Sequence, residues 1–281
     1  MAKLIQYATK ASAYDGPFDS VVGWAAAGMG YLLVTDHGRL VVIDGGNRED
    51  GEDFLGLLRQ YGGEKPEVDL WIMTHPHLDH YGALLALAEE GGLSERLRVR
   101  TLVYDFPRAF RSAKGEGIEY VFPHFDVILK ALGAERRRPL SGEETTVDGV
   151  RIEYLYTPDD LTILDNPNQL SLIFQVTAGE KKILFTGDAY QRNLKIALWR
   201  WGEKKLSSDI LQMPHHGLCD TGDADFYRAV NAGTLLIPIS IAGDRTMHSD
   251  LYGDEPLVNR WAEENAGRIY KACEGTVELA L

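Results

Sequence analysis

The stretch Thr74-His75-Pro76-His77-Leu78-Asp79-His80 places four possible metal ligands within six residues, directly after the apolar run at residues 70–73. In an extended segment, residues two apart face the same side, so His75 and His77 can hold one cation. Asp79 and His80 are then available to a second cation. Imidazole and carboxylate groups together suit zinc, manganese or iron. The stretch therefore predicts a site for one or two divalent metal ions and metal-assisted hydrolysis.

A histidine-rich turn can also be no more than a polar surface loop. Here the turn lies between a strand-like run and the helix-like residues 81–90, whose first turn Asp79 is positioned to cap. Three histidines and an aspartate at this spacing favour the metal site over the surface loop.

Three other stretches, one before and two after this one, also consist of an apolar run followed by a residue that could bind metal. Residues 40–43 precede Asp44, residues 182–185 precede Thr186-Gly187-Asp188, and residues 210–213 precede Pro214-His215-His216-Gly217. Taken alone, an aspartate at the end of a strand usually marks a turn, and a pair of histidines is usually surface polarity.

The His-x-His-x-Asp-His pattern resembles the signature of the metallo-β-lactamase superfamily, and the other three stretches follow in that family's order. The resemblance implies an α/β fold, specifically an αββα sandwich with metal ions where strand ends meet at the sheet edge. It also implies that Asp44 supports the histidine loop by hydrogen bonds, that Asp188 bridges two ions, and that one of His215 and His216 is a ligand. Alignment with single-histidine relatives favours His216, and we expect His215 to line the site.

One departure from the superfamily pattern concerns residues 166–174, where many relatives carry a third histidine for the first metal ion. This chain has Asn168 and Ser171 there instead. The departure is itself similar to the soluble metallo-β-lactamase-like domain of the DNA-uptake protein ComEC and to free-standing proteins like it. We therefore expect Asn168 and Ser171 beside the site and an ion at His75 and His77 that is held more loosely than its neighbour.

Two further assignments follow from the same comparison. The late histidine His248 is expected to contact a substrate phosphate or to donate a proton to the leaving group, with a capping or surface role as the alternative. Residues 106–141 form a candidate lid insertion. Their aromatic side chains either line a pocket or pack into the core; they are Phe106, Phe110, Tyr120, Phe122 and Phe125.

Length and composition indicate one globular domain spanning residues 1–281, because 44% apolar and 25% charged residues are ordinary globular values. No run is long and apolar enough for a membrane span, and the amino-terminal residues lack the apolar region of a signal peptide. Two cysteines exclude a disulfide-rich scaffold. We expect a cytoplasmic protein without a membrane partner.

The net charge bears on the substrate. The chain carries 29 basic and 42 acidic residues, a formal net charge of −13. Long nucleic acid is disfavoured as a partner, because its binding normally needs a basic face that releases condensed counterions. A small phosphodiester or a short oligonucleotide is less sensitive to this repulsion.

Three functional hypotheses remain at this stage. The resemblance implies a phosphodiesterase or nuclease-like enzyme, in which a hydroxide held between metal ions attacks phosphorus and Asp79 both ligates and orients it. The alternatives are a hydrolase of carbon esters, lactones or thioesters, and a non-catalytic metal-binding module. The intact ligand set favours an enzyme over the last of these.

Overall fold

The computed structural model describes residues 1–17, 28–107, 109–111, 118–120, 122–158, 167–218, 222–247 and 258–281. Most of its buried core is built on β-strands. The strands are, in chain order, β1 (Lys3–Gln6), β2 (Gly30–Val34), β3 (Leu40–Asp44), β4 (Glu67–Ile72), β5 (Arg98–Val103), β6 (Ala109–Arg111), β7 (Ile118–Tyr120), β8 (Glu135–Arg137), β9 (Glu144–Val147), β10 (Val150–Tyr156), β11 (Ile173–Ala178), β12 (Lys181–Phe185), β13 (Ile210–Gln212), β14 (Thr234–Ile237), β15 (Arg268–Lys271) and β16 (Val277–Ala280).

Helices fill most of the connections between these strands. They are α1 (Gly51–Gly62), α2 (Leu78–Glu89), α3 (Leu93–Arg96), α4 (Phe122–Leu132), α5 (Gln191–Leu206), α6 (Ala224–Val230), α7 (Ile241–Met247) and α8 (Val258–Asn265). Within the described ranges, none of them combines the length and the apolar character needed to cross a bilayer.

The two large sheets have matching organisation. The first sheet has the order β16-β1-β2-β3-β4-β5-β8 and the second has the order β15-β14-β13-β12-β11-β10-β9. In the first sheet, β3, β4, β5 and β8 run parallel to one another. In the second, β12, β13, β14 and β15 do so. Parallel neighbours end at the same edge of a sheet, so the loops that follow β3 and β4, and those that follow β12 and β13, can meet.

Side chains alternate between two packing layers along each buried strand. In β2, Tyr31 and Leu33 belong to the core between the sheets, whereas Leu32 and Val34 belong to the core under the helices of the first sheet. Successive side chains of a strand point to opposite faces of the sheet, and in β2 both faces are buried, so apolar residues occupy both. Helices α1, α2 and α4 cover the first sheet, and α5 and α6 cover the second. The predicted αββα sandwich is confirmed.

The start of α2 differs from the prediction. The helix begins at Leu78 with His77 as its N-cap, and Asp79 lies inside the first turn. The prediction that Asp79 caps the helix is wrong, because its carboxylate faces the rings of His80 and His216 instead. An acidic residue in the first turn still interacts favourably with the helix dipole.

The candidate lid at residues 106–141 is partly built into the sandwich. Helix α4 packs on α2 through an edge-to-face contact between Phe125 and Tyr81, with ring centroids 5.9 Å apart. Phe106 also contacts Phe125, and both are fully buried. Strand β8 adds to the sheet beside β5. These two aromatic residues are therefore core, while the side chains of Phe110, Tyr120 and Phe122 lie outside the described residues and the lid stays a prediction.

Gly82 allows α2 to pack directly against the turn that follows β3. A Cβ atom there would lie 2.7 Å from the amide nitrogen of Arg48 and 2.9 Å from the carbonyl carbon of Asn47, and neither backbone atom can rotate away. We expect Gly82→Ala to lower the free energy of unfolding by about 1–3 kcal/mol, the usual cost of overpacking. Urea unfolding at saturating metal measures this change.

Gly56 provides the matched control in α1. Nothing lies within 4 Å of a Cβ atom at this exposed helical position. Gly56→Ala should raise the free energy of unfolding by about 0.5–1 kcal/mol, because alanine loses less backbone freedom on folding. Equal stabilisation by both substitutions would contradict the packing of Gly82 described above.

Candidate metal centre

Seven ligand positions were predicted, and six of them form two groups at the edge where the two sheets meet. His75, His77 and Asp188 make up the first group. Asp79, His80, Asp188 and His216 make up the second. Within each group the ligand atoms lie within 4.8 Å of one another. Asp188 belongs to both groups, which is the position expected of a carboxylate shared between two ions.

The first group comes from the loop after β4 and the loop after β12. His75 Nε2 lies 3.5 Å from Asp188 Oδ2 and 3.0 Å from His77 Nδ1. Two ring nitrogens and a carboxylate oxygen thus face a common point. These three side chains would hold an ion.

The second group joins the first turn of α2 to the loops of the second sheet. His80 Nε2 lies 3.2 Å from Asp188 Oδ1 and 3.6 Å from Asp79 Oδ2. His216 Nε2 lies 3.1 Å from Asp79 Oδ2 and 3.5 Å from Asp188 Oδ2. Two imidazoles therefore alternate with two carboxylates, which gives four side-chain ligands of the types that zinc prefers.

Three buried atoms in these groups test whether a cation fits. His80 Nε2, Asp188 Oδ1 and His216 Nε2 are inaccessible to solvent and make no hydrogen bond of ordinary geometry within the described part of the chain. Buried polar atoms are nearly always satisfied in folded proteins. A divalent cation between the two imidazoles and the carboxylates would satisfy all three atoms, so the residues present fit a metal ion.

The electrostatics of the second group point the same way. Burial alone would lower the pKa of His216, but the carboxylates of Asp188 and Asp79 raise that pKa to about 10. Burial opposes the charged form of His80 as well, yet Asp188, Asp79 and Asp44 raise the pKa of His80 well above its usual value. The two carboxylates thus demand positive charge at this point. A divalent cation held by these residues would supply that charge in place of protons.

The histidines of the first group have the opposite tendency. Burial lowers the pKa of His75 well below its usual value, and the neighbouring His80 lowers it further. Burial is also the main reason that the pKa of His77 is lowered. Both rings are therefore neutral at pH 7, which is the form that coordinates metal.

Asp44 holds the histidine loop by hydrogen bonds and belongs to neither ligand group. Its Oδ1 accepts from the Thr74 amide at 2.8 Å, and its Oδ2 accepts from the Thr74 hydroxyl at 2.7 Å. The Nδ1 atom of His80 also lies 2.7 Å from Asp44 Oδ2. This contact leaves the Nε2 atom of His80 directed at the metal groups, as a carboxylate–histidine pair does in metalloproteins.

The loop that carries Asp188 is held by two polar residues. The Ser171 hydroxyl accepts from the Asp188 amide at 3.0 Å. The Gln212 side-chain oxygen accepts from the amides of Thr186 and Gly187 at 2.9 and 2.8 Å. Gln212 was not predicted as a site residue. The sequence feature that could have identified it is a polar amide at the end of an otherwise apolar strand, shortly before the histidine pair.

His215 and His216 occupy a tight turn, not the end of a strand. Strand β13 ends at Gln212, and both histidines have left-handed backbone angles, with φ of +49° and +57°. Non-glycine residues adopt this region rarely and often at functional sites. His216 Nδ1 donates to the Pro238 carbonyl at 2.8 Å, which directs its Nε2 atom to Asp79 and Asp188. Adjacent residues of a strand point in opposite directions, but His215 and His216 do not lie on a strand, so this rule does not determine which of them faces the metal groups.

His215 lines the centre without joining either group. Its Nε2 atom lies 4.0 Å from Asp188 Oδ2, and its ring contacts the Tyr190 ring with centroids 5.1 Å apart. Burial is the main cause that lowers the pKa of His215 to about 4, so this ring is neutral at pH 7.

Asn168 lies next to this corner of the centre, and its side-chain amide donates to the Tyr190 hydroxyl at 3.0 Å. Asn168 and Ser171, which were expected beside the site in place of a third histidine, both contact residues of this corner, and neither belongs to a ligand group. Tyr190 is a second residue that the sequence did not reveal. His248 lies outside the described residues.

Similar solved structures share this fold across the whole chain. YhfI from Bacillus subtilis, a metallo-β-lactamase fold protein, is 15% identical with a TM-score of 0.58, covering 99% of this chain and 100% of its own. Zn²⁺-bound PqqB from Methylobacterium extorquens is 12% identical with a TM-score of 0.58 and full coverage of both chains. A diphosphatase from the PhnP family is 17% identical with a TM-score of 0.54, covering 100% of this chain and 98% of its own.

Identities this low establish the fold alone. No curated protein matches the chain. The family model of the metallo-β-lactamase superfamily, however, matches residues 27–221, which include every residue of the two ligand groups. Members of this superfamily include metal-dependent hydrolases, and the centre described above groups histidine and aspartate side chains that could hold a metal ion. The chain belongs to the metallo-β-lactamase superfamily.

Proposed function

We propose that the chain is a metal-dependent phosphodiesterase that cleaves small phosphodiesters or short oligonucleotides. The observation that carries the proposal is the position of Asp188, whose two carboxylate oxygens face both ligand groups. A carboxylate shared in this way suits two ions roughly 3.5–4 Å apart, the arrangement that stabilises both the attacking and the leaving oxygen in phosphoryl transfer.

The metal ions, Asp79 and His215 would have different roles in the reaction. Bound divalent ions, most simply zinc with manganese or iron as alternatives, would lower the pKa of water and polarise the phosphoryl group. Asp79 is held between His80 and His216 at its Oδ2 atom, so its carboxylate has one orientation and can position the nucleophile. The neutral ring of His215, whose Nε2 atom lies 4.0 Å from Asp188 Oδ2, lines the centre and would contact a phosphoryl oxygen of the substrate.

Two further observations support this choice of reaction. One of the similar structures is a diphosphatase, although at an identity that establishes only the fold. Asn168 and Ser171 at the third-histidine position agree with the ComEC-like pattern, which we propose as the finer relationship. His248 would add a phosphate contact in that pattern. A formal net charge of −13 favours a small substrate over long nucleic acid.

Asp79 provides the most direct test of the catalytic assignment. Asp79→Asn keeps the shape of the side chain but removes the charge that positions the nucleophile. Loss of a residue that only supports a metal ligand costs about 10–100-fold in activity. We therefore expect Asp79→Asn to lower kcat/KM for a bis-aryl phosphate by more than about 100-fold, measured with manganese or zinc.

Asp225→Asn is the matched control, because that carboxylate is 77% exposed on α6 and pairs only with Arg228 among the described residues. It should leave kcat/KM at the wild-type value. A panel of lactone and thioester substrates distinguishes the alternative reactions. Cleavage of a lactone or thioester without phosphodiester turnover would replace the proposal with a carbon-ester hydrolase, and metal binding without any turnover would indicate a non-catalytic module.

The two ligand groups predict unequal affinities for metal. The second group offers four side chains and the first offers three, one of them shared. Titration against a chelator should therefore detect one tight and one weak ion per chain. His77→Ala should remove only the weak ion, and His216→Ala should weaken the tight one. Two equally tight ions in the wild type, or loss of the tight ion in His77→Ala, would contradict this assignment.

A further inference from the structure

The turn that carries His216 has three consecutive residues in the left-handed region. His215, His216 and Gly217 have φ angles of +49°, +57° and +72°. Residues with a Cβ atom disfavour this region, and those that adopt it usually do so singly. Such a backbone persists only where the surrounding structure holds it. The contacts of this turn therefore determine where the His216 ring lies.

The first half of the turn is held by neighbouring loops of the second sheet. The His215 amide donates to the Gly187 carbonyl, in the loop after β12, at 3.0 Å. His216 Nδ1 donates to the Pro238 carbonyl, directly after β14, at 2.8 Å. Both anchors lie beside the strand that precedes the turn, since β12 and β14 flank β13.

Asn259 holds the second half of the turn from a remote part of the chain. Its side-chain Nδ2 atom donates to the Gly217 carbonyl at 2.9 Å and to the Leu218 carbonyl at 2.8 Å. All three residues are buried, and buried backbone carbonyls need donors. The two hydrogens of one amide group therefore attach the turn behind His216 to the first turn of α8, 42 and 41 residues further along the chain.

The neighbours of Asn259 fix the orientation of its amide group. Backbone carbonyls can only accept, so the nitrogen must face Gly217 and Leu218. The Oδ1 atom then faces Tyr227 of α6, whose hydroxyl donates to it at 2.5 Å. Gly222 leaves the room for this pair, because a Cβ atom there would lie 2.5 Å from Asn259 Oδ1 and 2.5 Å from the Tyr227 hydroxyl oxygen. All of these contacts agree on one orientation.

We propose that Asn259 is a positioning residue of the metal centre, which holds the left-handed turn so that His216 Nε2 faces Asp79 and Asp188. It contacts the backbone of the turn and acts on the ligand through that backbone. The proposal makes α8 part of the metal centre although the helix contributes no ligand. It rests on His216 as a metal ligand, and it is independent of the substrate and of which ion is bound more tightly.

Asn259→Asp tests the proposal with a side chain of the same shape. It keeps an acceptor for Tyr227 but removes at least one of the two donors to the turn, and its charged form repels both carbonyls. Titration of the zinc-loaded chain with a chelator gives a Kd for each ion, and His216→Ala identifies the ion held by His216. The Kd of that ion should rise about 10–100-fold in Asn259→Asp, the usual effect of losing a residue that orients a ligand. The Kd of the ion held by His77 should stay at the wild-type value.

Asn265→Asp is the matched control, because it makes the same change on the same helix. The Asn265 side chain is exposed and donates to the Trp261 carbonyl of its own helix at 2.7 Å. Both Kd values should stay at the wild-type level. Tyr227→Phe removes a hydrogen bond from Asn259 but keeps both donors to the turn, so it should weaken the His216 ion less than Asn259→Asp does. An equal effect of Tyr227→Phe would overturn the proposal.

The absorption spectrum of bound Co²⁺ distinguishes a displaced ligand from a general loss of stability. The bands of Co²⁺ at the His216 ion should shift in Asn259→Asp, because a displaced imidazole changes the geometry around the ion. Asn259→Ala serves for the same measurements if Asn259→Asp does not fold. An unchanged Kd and spectrum, or an equal rise in the Kd of both ions, would overturn the proposal. Selective weakening of the His216 ion in a chain without phosphodiester turnover would support the proposal and reject the phosphodiesterase.

Discussion

The buried charge of Asp188 is the constraint on which the rest of the centre depends. Its carboxylate is 1% exposed and lies where loops of both sheets meet. Removing a charge from water costs several kcal/mol unless other charges compensate for it. His75 and His80 approach it from the first sheet, and His216 approaches it from the second. Metal binding and the packing of the two sheets are therefore linked, since neither sheet contains a complete ligand group.

Each sheet also supplies one buried polar residue that fixes its own ligand loop. In the first sheet, Asp44 holds the Thr74 amide and the Nδ1 atom of His80. In the second sheet, Gln212 holds the amides that precede Asp188. Neither residue belongs to a ligand group. Both residues hold their ligand loops by hydrogen bonds within the protein, which fix the backbone positions from which the ligand side chains project.

The sequence predicted the fold and six of the residues that the structure brings together in the two ligand groups, because both depend on local patterns. Apolar runs of strand length end in the ligands, and parallel strands bring those ends together. Other features depend on distant contacts. The role of Gln212 requires partners 25 and 26 residues away. The choice between His215 and His216 depends on left-handed backbone angles in a turn that strand alternation does not describe. Asp79 fails as a helix cap because of its contact with His216, which is remote in sequence.

The proposed sharing of Asp188 by two metal ions is open to a direct test. A crystal structure of the chain at saturating zinc or manganese, with anomalous scattering data, measures this directly. We predict two anomalous peaks roughly 3.5–4 Å apart, with the Asp188 carboxylate bonded to both. A single peak, or two peaks of which only one lies within bonding distance of Asp188, would contradict the claim.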